Sequence, residues 1–151
     1  MIFVTVGNGK FEELVREIDR LVESGKIQDK VVIQIGHGQY KPPHCQWFTF
    51  KSPLTEYYRK AALIISHGGP GVVFEVLRMK KKLIAVPNRD RTDPHHQVEY
   101  LRAIATETSA LLYCNQVEHL ESCLKKAYKH KFSTYKIPPC TIPEVIEKFL
   151  R

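Results

Sequence analysis

Ile64-Ile65-Ser66-His67-Gly68-Gly69-Pro70-Gly71-Val72-Val73-Phe74-Glu75 runs from an apolar strand, through a turn of small residues, into a helix. Glycines let a backbone approach a pyrophosphate closely, and a helix beginning near Gly71 aims unpaired N–H groups and its positive dipole end at the same anion. Glu75 follows one helical turn later, where a carboxylate accepts hydrogen bonds from ribose hydroxyls. A tight strand-to-helix connection with no ligand fits the same spacing.

Working outward, apolar strand signals alternate with helical ones. Residues 2–6 form a first apolar run, and Phe11, Leu14, Val15, Ile18, Leu21 and Val22 then recur at helical spacing. Val31–Ile35 and Gln46–Phe50 predict the second and third strands, Ser52-Pro53 starts a short helix through Arg59, and Leu63–Ile65 gives the fourth strand. A helix over 71–79, a strand over 83–86, a helix led by Pro94, a strand over 110–113, and helices over 117–129 and 144–151 complete the reading. The expected fold class is α/β: a Rossmann-like parallel sheet of about six strands with helices on both faces. At 151 residues, one domain spanning 1–151 is expected.

Ligands of such sheets lie beyond the carboxyl ends of the strands. Five loops meet there: Gly7 and Asn8, Gly36 to Gly38, Phe50 to Ser52, His67 to Gly71, and Asn88 to Gln97.

The bulk composition is that of a soluble globular chain, with 43% apolar and 26% charged residues. MIFVTVG lacks a basic leader and reads as a buried strand rather than a signal peptide. No apolar run approaches the roughly 18–20 residues of a membrane span. Cys45, Cys114, Cys123 and Cys140 share no metal-ligand spacing and read as reduced thiols of a cytosolic protein; nothing in the spacing favours a zinc site of Cys45 with His37 or His44. The 23 Lys and Arg outnumber 16 Asp and Glu, most densely over residues 125–136. That segment fits a solvated helix end, a patch for anionic lipid or an acidic partner, or a nucleic-acid surface, and no recognised nucleic-acid module accompanies it.

MIFVTVG, QIGHG, ISHGGPGVVFE and IAVPNRDRTDPHHQVEYL, in that order over roughly residues 1–115, resemble the C-terminal, donor-binding half of family-28-type glycosyltransferases of GT-B fold. The length resembles the stand-alone half-enzymes of that family: the catalytic subunit of the dolichol-linked N-acetylglucosamine transferase, and subunits of bacterial capsule and exopolysaccharide assembly.

The resemblance implies a UDP-sugar donor site. Gly68, Gly69 and Gly71 would bracket the diphosphate and Glu75 would hold the ribose. His96 and Gln97 would contact the hexose, backbone near Phe50 and Lys51 would meet the uracil, and Gly7, Asn8 and His67 would face the same rim. Asn8 stands where many relatives have Thr, which leaves its phosphate contact open. The loop Arg89–His95 differs enough from relatives that sugar identity does not carry over.

Each residue also has a plainer reading. His67 fits as a turn cap, Glu75 as an ion-pair partner of Arg78 or the Lys80–Lys82 run, and His95, His96 and Gln97 as solvent-facing first-turn residues. Arg89 and Arg91 fit loop solubility or phosphate counter-charge equally.

By the same resemblance the reaction inverts the anomeric centre, needs no cofactor or metal, and takes its general base and acceptor site from a second lobe too large for this length. A membrane-associated partner subunit is therefore expected to present a lipid-linked acceptor, with this chain peripheral at the cytosolic membrane face. No nucleic-acid partner is expected, and the isolated chain has a cleft face suited to homodimerisation. The rival readings are a non-catalytic sugar-nucleotide-binding accessory subunit and a nucleic-acid binder sharing the fold.

Overall fold

The computed structural model describes residues 1–90, 94–138 and 147–148, with residues 94–96 as backbone only. Six strands form one parallel sheet: β1 (Ile2–Thr5), β2 (Val31–Gln34), β3 (Gln46–Phe48), β4 (Leu63–His67), β5 (Leu83–Val86) and β6 (Leu112–Tyr113). The order across the sheet is β3-β2-β1-β4-β5-β6, and every adjacent pair is parallel. The chain winds outward from β1 to β3, returns to the other side of β1 at β4, and continues to β6. The connections leaving β1 and β4 therefore diverge, which opens a crevice at their carboxyl ends.

Among the described residues, four helices connect the strands, α1 (Glu12–Glu23), α2 (Thr55–Lys60), α3 (Pro70–Arg78) and α4 (Pro94–Glu107), and α5 (Leu120–Lys129) follows β6. The helix expected over 117–129 splits into a 3-10 turn at Val117–His119 and α5. The last expected helix, 144–151, lies outside the described residues except for 147 and 148.

Period-two alternation places the strand side chains on two separate cores. Ile2, Val4, Ile33, Ile65 and Val86 meet Leu14, Ile18 and Leu21 of α1 and Leu120 and Leu124 of α5 on one face. Phe3, Val32, Ile64 and Ala85 meet Tyr58 of α2, Val73, Val76 and Leu77 of α3, and Leu101 of α4 on the other. Fully burying each large apolar side chain contributes about 1.5–3 kcal/mol, so both faces must be covered for the sheet to persist.

α1 also anchors the long β2–β3 connection. Glu12 Oε1 accepts the N–H groups of Gln39 and Tyr40, and the Arg16 guanidinium lies 4.0 Å from the centre of the Tyr40 ring. One turn further, buried Asp19 accepts the Tyr40 hydroxyl at 2.8 Å and the His44 N–H at 2.9 Å, and pairs with His44 Nδ1 at 3.2 Å.

Of the basic segment, Lys125 pairs with Glu121 at 2.7 Å, and Lys126 and Lys129 occupy the last turn of α5, where cations complement the helix dipole. Cys45, Cys114 and Cys123 are free thiols, Cys140 lies outside the described residues, and burial foremost, then the charge and hydrogen bond of Asp19, pushes Cys45 up to about 12. Among the described residues no helix is long and apolar enough to cross a membrane, and no three His, Cys, Asp or Glu side chains cluster as metal ligands.

Candidate donor-nucleotide site

Beyond the carboxyl ends of β1, β2 and β4 lies a cleft of about 450 Å³. It brings together Gly7, Asn8, Lys51, His67, Gly69, Gly71 and Glu75, residues drawn from the loops after β1, β3 and β4 and from α3. Helix α3 begins with Gly69 as N-cap and Pro70 at its first position, has no side-chain cap, and carries no acidic residue in its first turn. Val73 N–H already returns to Gly69 O at 3.1 Å. The first turn, with Gly71 and Val72 on the cleft wall, is thus left for an external anion.

The His67 imidazole is buried between two glycines. A Cβ on Gly7 would stand 2.5 Å from His67 Cε1, and a Cβ on Gly69 would meet His67 Nε2 still closer. Gly7 also has φ +65, a left-handed conformation open to glycine at least cost.

Glu75 is exposed on α3 and makes no ion pair with Arg78 or Lys80–Lys82 among the described residues. Lys51 Nζ donates to the Tyr57 hydroxyl at 3.2 Å and sits 5.1 Å from the centre of that ring, which holds the amine at the cleft's edge.

Gly68, Gln97 and Phe50 are not among the cleft-lining residues, while the uracil contact expected near Phe50 and Lys51 is to backbone, and Lys51 does line the cleft. Gly68 lies behind the cleft: a Cβ there would come within 2.8 Å of Gln97 Oε1 and Leu101 Cδ1, and its carbonyl accepts the Tyr100 hydroxyl. Close packing on α4 therefore favours glycine at 68. Gln97 is buried, and its Oε1 accepts the Asn88 N–H at 3.0 Å while Asn88 Nδ2 donates to Lys10 O at 2.8 Å. This side chain ties the loop after β5 to the loop after β1. Phe50 is exposed outside the cleft, its ring edge-on to His37 with centroids 4.6 Å apart. The side chains of His95 and His96, and all of Arg91, lie outside the described residues. Arg89 donates to Asn115 Oδ1 at 2.6 Å and to its carbonyl at 3.1 Å, so it is engaged within the fold.

Sequence reading alone overlooked Gln34, Pro53 and Tyr58, which also line the cleft, as does Ser52 of the expected Phe50–Ser52 loop. A slightly larger hollow, about 470 Å³, lies between the loops after β1, β5 and β6 and shares no lining residue with the first. Its lining includes Glu12, Glu13, Asp90 and Glu118. These carboxylates outnumber Lys10 and Arg89 in the same lining, whereas the smaller cleft has Glu75 as its acidic lining residue and Lys51 beside it, which makes the smaller cleft the better candidate for an anion.

The sheet order, with an uncapped glycine turn at its crossover, defines a doubly wound α/β domain of the kind that forms the C-terminal half of GT-B proteins. The model of the glycosyltransferase family 28 C-terminal domain matches residues 1–141, and the chain belongs to that family. It is 32% identical over 124 residues to the human UDP-N-acetylglucosamine transferase subunit ALG13, covering 75% of this chain and 11% of the human protein. The protein of the same name from Debaryomyces hansenii is 26% identical over 141 residues, covering 89% of this chain and 64% of that one. The chain thus spans less than two thirds of these relatives.

Among solved structures, Acinetobacter baumannii MurG superposes with a TM-score of 0.66 at 19% identity, over 84% of this chain and 40% of that one. A solution structure of ALG13 gives 0.59 at 18% identity, over 99% and 94%. At these identities the structural likeness establishes the fold.

Proposed function

We propose that this chain is the UDP-sugar-binding catalytic subunit of a two-component inverting glycosyltransferase. It transfers a hexose, N-acetylglucosamine or galactose or a related sugar, to a lipid-linked acceptor presented by a membrane-associated partner subunit. The observation that carries this reading is the convergence of Glu75, Lys51 and the uncapped start of α3 on one cleft. The names of the relatives, which call them subunits of a UDP-N-acetylglucosamine transferase, support the sugar and the need for a partner.

In this mechanism the diphosphate lies against the first turn of α3, the ribose hydroxyls donate to Glu75, and Lys51 adds positive charge beside the nucleoside. As the glycosidic bond breaks, negative charge builds on the leaving UDP, and the α3 N–H groups are already oriented toward it. The acceptor hydroxyl attacks the anomeric carbon from the opposite side and yields its proton to a base on the partner.

Calorimetric titration with UDP and UDP-N-acetylglucosamine, repeated on Glu75→Ala, tests the site. The wild-type chain, alone or with its co-purified partner, is expected to bind, and the variant to bind tenfold or more weakly, in line with loss of a charged hydrogen-bond acceptor worth roughly 1.5–3 kcal/mol. Loss of sugar transfer by Glu75→Ala with the complex intact separates a catalytic from an accessory role. Full turnover by that variant would sink the catalytic reading.

A further inference from the structure

The parallel register sets Gln34, Thr5 and Ser66 side by side on β2, β1 and β4. Two residues earlier the same rows carry Val32, Phe3 and Ile64, which belong to the core under α2 and α3. Each inward row thus turns from apolar to polar at the strand's carboxyl end, beneath the cleft. All three polar residues are buried, so their hydrogen bonds must be accounted for.

Thr5 Oγ1 accepts the Gly7 N–H at 3.1 Å and passes its own proton to Gln34 Oε1 at 2.6 Å. Ser66 Oγ donates to the His67 carbonyl at 2.9 Å. The Gln34 amide is therefore held with its oxygen toward Thr5, and its NH2 group has no hydrogen-bond partner among the described residues although Gln34 lines the cleft. A second donor lies beside the cleft. The Tyr58 hydroxyl, on a side chain with no exposed surface, makes no hydrogen bond and borders the same cleft as Glu75.

We propose that Gln34 is a nucleotide-binding residue whose NH2 group, aimed by the Gly7–Thr5 relay, donates to an oxygen of the nucleoside half of the bound ligand. The assignment rests on the uridine-nucleotide reading above and deepens it. Strand spacing selects the nucleoside half. The α3 start follows β4, and β2 lies two strands away, about 10 Å at the usual interstrand distance. A nucleoside diphosphate with its phosphates on α3, extended toward β3, passes its ribose over Gln34.

The test follows the Gln34 side-chain NH2 resonances of ¹⁵N-labelled protein while uridine monophosphate and UDP are added, with Gln34→Glu and Gln34→Leu titrated alongside. Gln34→Glu keeps the oxygen that Thr5 needs and replaces the donor with a charged acceptor. The Gln34 resonances are expected to shift with either nucleotide, and Gln34→Glu is expected to weaken both by the same roughly tenfold or greater factor. Unmoved resonances with wild-type affinity in both variants would overturn the assignment and leave the nucleotide site standing. Weakening of UDP alone would move the contact to the phosphates and overturn the nucleoside assignment. No binding of either nucleotide by the wild-type protein, with or without its partner, would overturn the uridine-nucleotide reading and this assignment with it. A variant that fails to fold leaves the wild-type resonances as the deciding measurement.

Discussion

Gly7→Ala is expected to destabilise the protein by about 2–4 kcal/mol and to abolish nucleotide binding, read by urea denaturation and by calorimetry. Two costs add. At φ +65 an alanine pays roughly 1–2 kcal/mol for left-handed backbone. Its methyl would also stand 2.5 Å from the His67 ring, which packs as closely against Gly69, so the ring must shift to admit it. Gly71→Ala is the informative contrast. A Cβ there meets nothing within 4 Å, and alanine is the better helix former by up to about 1 kcal/mol, so the fold is expected to hold or gain. Its methyl instead occupies the space a phosphate needs. Wild-type UDP affinity in Gly71→Ala would place the diphosphate away from the α3 start.

Asp19→Ala is expected to cost about 2–3 kcal/mol, because Tyr40 and the His44 backbone lose a buried carboxylate that now accepts from both. The effect has a defined pH dependence. Burial raises the Asp19 pKa, but the hydrogen bonds from Tyr40 and His44 together outweigh it and leave the pKa below its ordinary 3.8. Around that pH the unfolded chain binds more protons than the folded one. The stabilisation is therefore fully present above about pH 5 and is lost as pH falls through 3.8 toward the folded-state value. Glu12 behaves with the same sign, its pKa lowered chiefly by the Gln39 and Tyr40 N–H groups. Acid thus loosens both anchors of the 36–45 connection. Urea melts between about pH 5.5 and pH 3 should show a steeper loss for the wild-type protein than for Asp19→Ala; equal slopes would refute the Asp19 contribution.

The alternation of strands and helices was legible in the sequence because short β-branched runs such as Val31–Ile33 and Leu63–Ile65 stand between helical periodicities. Strand order was not, since periodicity tells which way a side chain faces and not which strand lies beside it. The same gap explains the site. Glycines before a helix and a carboxylate one turn on announce themselves locally, whereas Gln34 sits inside the run VVIQIG and reads as the tail of a strand. Only the Thr5–Gln34 register reveals that its oxygen is held toward Thr5. Gln97 marks the opposite case. Family resemblance assigns it to the hexose, while its amide oxygen holds the Asn88 backbone and so shapes the loop after β5.

The imidazole held between Gly7 and Gly69 also bears on the thermodynamics of ligand capture. Two loops from non-consecutive strands close on one buried ring, so neither can swing inward without displacing it. The phosphate end of the cleft is consequently set before any nucleotide arrives, and little conformational entropy remains there to be lost on association. Association rates at this end should follow diffusion and charge rather than loop rearrangement.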